Sequence, residues 1–140
     1  MAKIICIWGP PCAGKSTLAN ELRYPGDAVI ERDALHQAIT GLPTHEHTKA
    51  GMAVANSGFF AMLARAQKTP GRFIFVTTGD GKASREPFIE AGAEMRLVYA
   101  DRQTCLGRAG SERPERWTKA INRWFDTYEA EQGLTSGTLL

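Results

Sequence analysis

No run of this chain approaches the roughly 18 consecutive apolar residues that a bilayer-spanning helix needs, so no membrane partner is expected. Cysteine is sparse. Cys6, Cys12 and Cys105 have no metal-site spacing, and an odd count closes no disulfide framework. That leaves the reduced thiols of a cytoplasmic protein as the expectation. Charge of one sign is also scarce, because 17 Lys and Arg meet 15 Asp and Glu for a net +2. Such a balance argues against a bulk electrostatic partner such as a long duplex or an anionic membrane. Internal repeats, linkers and low-complexity tracts are missing, and 140 residues suit one hydrophobic core better than two. A single domain over residues 1–132 is therefore expected, with a flexible tail at 133–140.

What is present is an ordinary globular composition, 43% apolar and 23% charged. Residues 3–8 form a continuous, β-branched run of the kind buried on both faces of a parallel sheet. It leads straight into Gly9-Pro10-Pro11, a continuation no signal peptide has. Helical patterns at 15–23, 33–39, 46–67, 84–91, 103–109 and 115–131 alternate with strand patterns at 27–31, 72–78 and 94–100. In the longest helices the apolar stripes read Met52, Ala55, Phe59, Met62, Leu63 and Trp117, Ile121, Trp124, Tyr128. Alternating strands and helices predict a three-layer α/β fold with a short parallel sheet of about four strands.

Gly9-Pro10-Pro11-Cys12-Ala13-Gly14-Lys15-Ser16 fits G-x-x-x-x-G-K-[ST] at every fixed position. The spacing serves a purpose. Glycines let the backbone wrap inward so that several N–H groups face one anion, and the following helix adds its positive end. A chance match in a chain this long has a probability below about one in a hundred. The motif also follows a strand pattern and opens a helix pattern, the context it requires. Gly9, Pro11, Cys12, Ala13, Gly14, Lys15, Ser16 and Thr17 are thus expected to hold the phosphates of ATP. Lys15 would reach the β- and γ-phosphates, and the Ser16 hydroxyl would enter the shell of a Mg2+ ion.

The second strand ends in Glu31-Arg32-Asp33. Open α/β sheets build their ligand sites at the carboxyl ends of the strands, so Asp33 should emerge near the γ-phosphate. A carboxylate there can orient an acceptor hydroxyl and take its proton. Asp33 is equally suited to cap the helix at 34–39. Between Arg102 and Arg123 the chain carries Arg102, Arg108, Arg113, Arg116, Lys119 and Arg123 against Glu112 and Glu115. Gly110, Ser111 and Pro114 break the chain there, a place for a closing lid whose arginines neutralise moving charge. A solvated connection with ion-paired arginines is the plainer alternative.

The phosphate loop followed by Glu31-Arg32-Asp33 resembles the kinase domain of phage polynucleotide kinases. The wider group of small P-loop kinases and zeta-toxin-like phosphotransferases shares much of the pattern. The resemblance implies a P-loop NTPase fold with an arginine-bearing lid, in a bacterial or phage-infected cell. It implies Asp33 as the general base for a 5′-hydroxyl, and Arg85, Arg108 and Arg113 as holders of donor or acceptor phosphates. Two features depart from it. The family follows Arg-Asp with another Asp and, two positions later, an Arg that reads an acceptor phosphate; Ala34, Leu35 and His36 stand here. His36, when protonated, is the candidate to replace that contact in part, and Arg32 is a further candidate substrate residue. The Walker B carboxylate is also replaced, by Thr77, and Asp80 lies three residues on.

His45 and His47, two residues apart, suit a loop better than a pair of metal ligands. Asn56 and Ser57 are candidates to line an acceptor pocket. The leading expectation is an ATP-dependent transfer of phosphate to a polynucleotide 5′-hydroxyl or another hydroxyl on DNA or RNA. A nucleoside, nucleotide, sugar or antibiotic kinase is the first alternative. An ATP-binding interaction module without a phosphorylated product is the second.

Overall fold

The computed structural model describes residues 3–43, 46–110 and 114–133. Its four strands are β1 (Ile4–Trp8), β2 (Ala28–Glu31), β3 (Phe73–Thr77) and β4 (Glu94–Leu97), all parallel, in the order β2-β3-β1-β4. Six helices accompany them: α1 (Lys15–Leu22), α2 (Arg32–Thr40), α3 (Lys49–Ala66), α4 (Gly81–Glu90), α5 (Arg102–Ala109) and α6 (Glu115–Glu131). The α/β expectation holds, with every boundary within three residues.

The period of two along β1 and β3 divides the core. Ile4, Cys6 and Phe75 face α3 and α4, where they meet Phe59, Leu63, Ala66 and Phe88. Ile5, Ile7, Ile74 and Val76 face the opposite side, where Ala19 of α1 packs on them. Both central strands are buried on both faces, which is why their sequence is apolar without alternation. The register pairs Ile5 with Ile74 and Ile7 with Val76. A third cluster, Cys105, Ala109, Ile121, Trp124 and Phe125, joins α5 to α6 and touches Ala13 of the phosphate loop. Burial makes the core thiol of Cys6 inert, pushing it up to about 12.

Two helices depart from the expected patterns. The buried stripe of α3 is Gly51, Ala55, Phe59, Leu63 and Ala66, and Met62 is 41% exposed. The helix begins at Lys49 instead of residue 46 because the Thr48 side chain caps it, accepting from Gly51 N–H. In α6 the buried residues are Ile121, Trp124 and Phe125, while Trp117 is only partly buried. The Trp124 indole is a core group, donating to Thr78 O at 2.7 Å and stacking on Tyr128.

Connections at the carboxyl ends of the strands define one rim. β1 runs into the phosphate loop, β2 into α2, and β3 into Thr78-Gly79-Asp80. β1 and β2 are consecutive in sequence yet separated in the sheet by β3, so the chain reverses its direction of winding beside β1. Such a reversal opens a crevice where ligands bind.

Candidate active site

That crevice is a cleft of ≈ 1190 Å³ lined by the phosphate loop, the β2–α2 junction, the end of β3 and one side of α6. The loop's geometry is built from its residue types. Gly9 has φ 153°, and a Cβ there would lie 2.1 Å from Val98 O, so only glycine fits beside β4's extension. Gly9 N–H donates to Thr78 O at 3.2 Å, tying the loop to the end of β3. Cys12 has φ 67°, a left-handed conformation uncommon for a residue with a side chain. Gly14 stands at the N-cap of α1, with no side-chain cap and no acidic residue in the first turn. The first N–H groups of α1 therefore have no side-chain competitor for an anion.

Lys15 completes the cradle. Its ammonium donates to Gly9 O at 2.9 Å and Pro10 O at 2.7 Å. Burial lowers its pKa to about 8, an effect only partly offset by Cys12 and Asp33. A buried cation bonded only to carbonyls is stabilised by any anion that enters the loop. Pro11, Cys12, Ala13, Gly14, Lys15, Ser16 and Thr17 all line the cleft.

Asp33 lines it as well and acts electrostatically on Lys15. It is not a helix cap. The helix already begins at Arg32, with Glu31 at the N-cap, so Asp33 sits within the first turn, where a carboxylate is favoured by the helix dipole. Its Oδ1 lies 3.1 Å from His47 Nε2, close enough to ion-pair but without the alignment of a hydrogen bond. His47, expected only at a loop or helix start, lines the cleft beside Asp33. His45 lies outside the described residues.

Arg32 also lines the cleft. Its guanidinium donates to Thr77 Oγ1 at 3.2 Å and stacks over Phe59, 4.8 Å from the ring centroid. The hydroxyl at the expected Walker B position thus holds an arginine. Asp80 lines the cleft as well, with a buried Oδ1 lacking any hydrogen-bond partner and Oδ2 3.8 Å from Arg123 Nε. A hard cation that takes oxygen ligands and keeps several waters fits Ser16 Oγ and this orphaned oxygen. Among the described residues no cluster of three or more His, Cys, Asp or Glu suits a metal by itself.

From the last two helices, Arg108 of α5 donates to Cys12 O at 3.0 Å, and Arg116, Trp117, Lys119 and Arg123 of α6 line the cleft. Arg113 lies outside the described residues. Two predicted residues are placed elsewhere. His36 is fully buried beneath the α2–α3 junction, where its Nε2 accepts from Thr48 N–H at 3.0 Å. Gly51 leaves room for that ring, since a Cβ would come within 2.7 Å of Nε2. Arg85 lies over the Trp8 ring, donates to Gly79 O at 2.7 Å and pairs with Glu131. Asn56 and Ser57 are exposed on α3 and do not line the cleft; Met52 does. The signal for His47 was Thr48, a helix cap that puts the residue before it at a fixed corner.

No protein-family model matches the chain, and no curated protein matches it. Solved structures do. A chain of the Pnkp1/Rnl/Hen1 RNA repair complex superposes with a TM-score of 0.68 at 14% identity, covering 92% of this chain and 46% of that one. The present chain therefore spans less than half the length of that relative. Shikimate kinase from Acinetobacter baumannii, solved with shikimate, gives 0.61 at 17% identity over 93% of this chain and 78% of that one. The tunicamycin resistance protein of Deinococcus radiodurans gives 0.53 at 20% identity over 96% and 98%. At these identities the likeness is one of fold. The chain has the P-loop kinase fold, a four-stranded parallel sheet flanked by helices.

Proposed function

We propose that the chain is an ATP-dependent phosphotransferase that moves the γ-phosphate to a hydroxyl. The observation that carries this reading is one cleft lined both by a phosphate loop with its lysine and by the Asp33 carboxylate. The loop and Lys15 bind the triphosphate. Asp33 takes the proton from the acceptor O–H as its oxygen attacks the γ-phosphorus, and the bond to the β-phosphate breaks to leave ADP. A magnesium ion, when bound, supplies charge neutralisation between the β- and γ-phosphates, and Ser16 and Asp80 are the residues that would hold it. Arg108 and the α6 cations neutralise transferred charge, and Arg113 is proposed to act with them on sequence grounds. Catalysis in this account is mostly positioning and electrostatics.

The motif resemblance favours a polynucleotide 5′-hydroxyl as acceptor, and the RNA repair chain among the fold relatives supports it. A small hydroxyl compound is the second reading. It is favoured by the burial of His36 and the pairing of Arg85 with Glu131, which leave two expected phosphate readers out of the cleft lining. Replacing Asp33→Asn tests the mechanism. Turnover is expected to fall by about 10²- to 10⁴-fold while ATP affinity stays within about twofold, because the cradle is untouched. Undiminished turnover would remove Asp33 from the role of base.

A further inference from the structure

A general base must present one oxygen in one direction, yet Asp33 stands on the first turn of α2 with its side chain 42% exposed. Rotation about its two side-chain torsions would spread the carboxylate over several orientations. Among the described residues, one side chain lies within ion-pair reach of it. His47 Nε2 is 3.1 Å from Oδ1. An unprotonated Nε2 would set its lone pair against the carboxylate oxygen, so this nitrogen carries a proton. Nε2 is buried and has no aligned acceptor among the described residues. A small rotation of the ring onto Oδ1 satisfies it, and a buried N–H left unpaired is costly.

His47 is itself held in place. Its ring lies against that of His36, with centroids 5.0 Å apart and planes tilted by 56°. His36 is fully buried, and its own hydrogen bonds fix it. Nε2 accepts the Thr48 N–H at 3.0 Å, so the ring proton sits on Nδ1, 3.4 Å from Thr40 Oγ1. The Thr40 hydroxyl in turn donates to His36 O at 2.8 Å. The residue after His47 is pinned twice, because Thr48 donates its N–H to His36 and accepts the Gly51 N–H on its hydroxyl. Both the His47 ring and the backbone beside it are therefore anchored independently of Asp33.

We infer that His47 is a positioning residue for the proposed base: its Nε2–H holds Oδ1 of Asp33, so that Oδ2 is presented to the acceptor hydroxyl. The inference rests on the phosphotransferase reading and deepens it. His47 keeps its own proton through the step, and the acceptor's proton goes to Asp33. The plainer role is a ring that fills space beside an exposed carboxylate, and an ion pair at such exposure contributes little stability. The two roles differ in what they change. Orientation acts on turnover, and packing acts on stability.

NMR of the protein with ring-labelled histidine tests the contact directly. A ring N–H resonance coupled to His47 Nε2 is expected in the parent protein and lost in Asp33→Ala. The Nδ1–H resonance of His36 should persist in both, as an internal control of the fold. Absence of the His47 resonance in the parent, or its survival in Asp33→Ala, overturns the inference. Should Asp33→Ala disturb the fold, the kinetic comparison decides.

That comparison uses any acceptor that takes label from ATP. His47→Leu is expected to lower kcat at least about tenfold and to leave the KM of ATP and of the acceptor within about twofold. His47→Gln, whose amide N–H can reach the same oxygen, should recover most of the loss. In an Asp33→Asn background His47→Leu should have almost no further effect, the non-additivity of two residues that act through one group. Unchanged kcat in His47→Leu overturns the inference and leaves the phosphotransferase reading standing. So does a loss that His47→Gln does not recover and that adds in full to Asp33→Asn. No transfer to any acceptor, with the NMR contact present, sinks the phosphotransferase reading and leaves the His47–Asp33 contact standing.

Discussion

Lys15 is the residue on which pH acts most directly. Its ammonium is buried and its pKa is lowered to about 8, and in the proposed reading the triphosphate binds the charged form. Below that pH the lysine is charged with or without nucleotide, so affinity is flat. Above it the free protein has lost the proton that the complex needs, and binding must draw one from solution. ATP affinity is therefore expected to fall as pH rises through about 8, by about tenfold at pH 9, with proton uptake visible as a buffer-dependent calorimetric enthalpy. Affinity unchanged to pH 9.5 would place the lysine away from the phosphates. Cys12 gives a second reading of the same loop. It lines the cleft, while Cys6 and Cys105 are buried, so one thiol should react rapidly with a maleimide and ATP should protect it. Labelling at an equal rate with saturating ATP would contradict the placement of the nucleotide.

At the scale of elements, the α2–α3 junction is built around a buried imidazole. His36 is fully buried, receives the Thr48 N–H and packs against His47 with ring centroids 5.0 Å apart. Replacing it, His36→Ala, removes a buried acceptor and leaves a cavity, at a cost of about 2–4 kcal/mol in urea unfolding. The Thr48 amide should lose hydrogen-exchange protection, and His47 its fixed place beside Asp33. A loss below about 0.5 kcal/mol would mean the junction is held by other contacts. Helices α5 and α6 are joined in a different way. Arg102, at the start of α5, reaches Asn122, Asp126 and Glu129 along α6. Because these partners are partly exposed, each contact adds little stability, and the apolar seam of Cys105, Ala109, Ile121 and Phe125 does most of the work.

The elements themselves were legible because each carries a period. Buried strands without alternation, the stop at Tyr24-Pro25-Gly26 and the long apolar face of α6 placed nearly every boundary. Side-chain destinations were less legible. Arg85 and His36 look like cleft residues in one dimension, yet Trp8 and Glu131 claim the first and Thr48 the second. Those partners lie 12 to 77 positions away in the chain, and the packing of the folded chain brings them together. The phosphate loop, by contrast, is a local structure whose glycines and lysine act on their own neighbours, so spacing alone was sufficient.

For the whole molecule, the sheet order β2-β3-β1-β4 gathers the phosphate loop, Asp33, Asp80 and the α6 cations at one rim from segments spread over most of the sequence. A near-neutral surface with a positive cleft concentrates small anions at the site while giving little attraction for long polyanions. The most direct test of the account follows label from γ-labelled ATP to a panel of acceptors: 5′-hydroxyl DNA and RNA oligonucleotides, nucleosides, nucleoside 3′-monophosphates and small hydroxy acids. Label is predicted on a hydroxyl acceptor with the parent protein and its near-complete loss with Asp33→Asn. ATP bound with no label transferred to any acceptor would contradict the account and identify the cleft as a nucleotide-binding site without phosphotransfer.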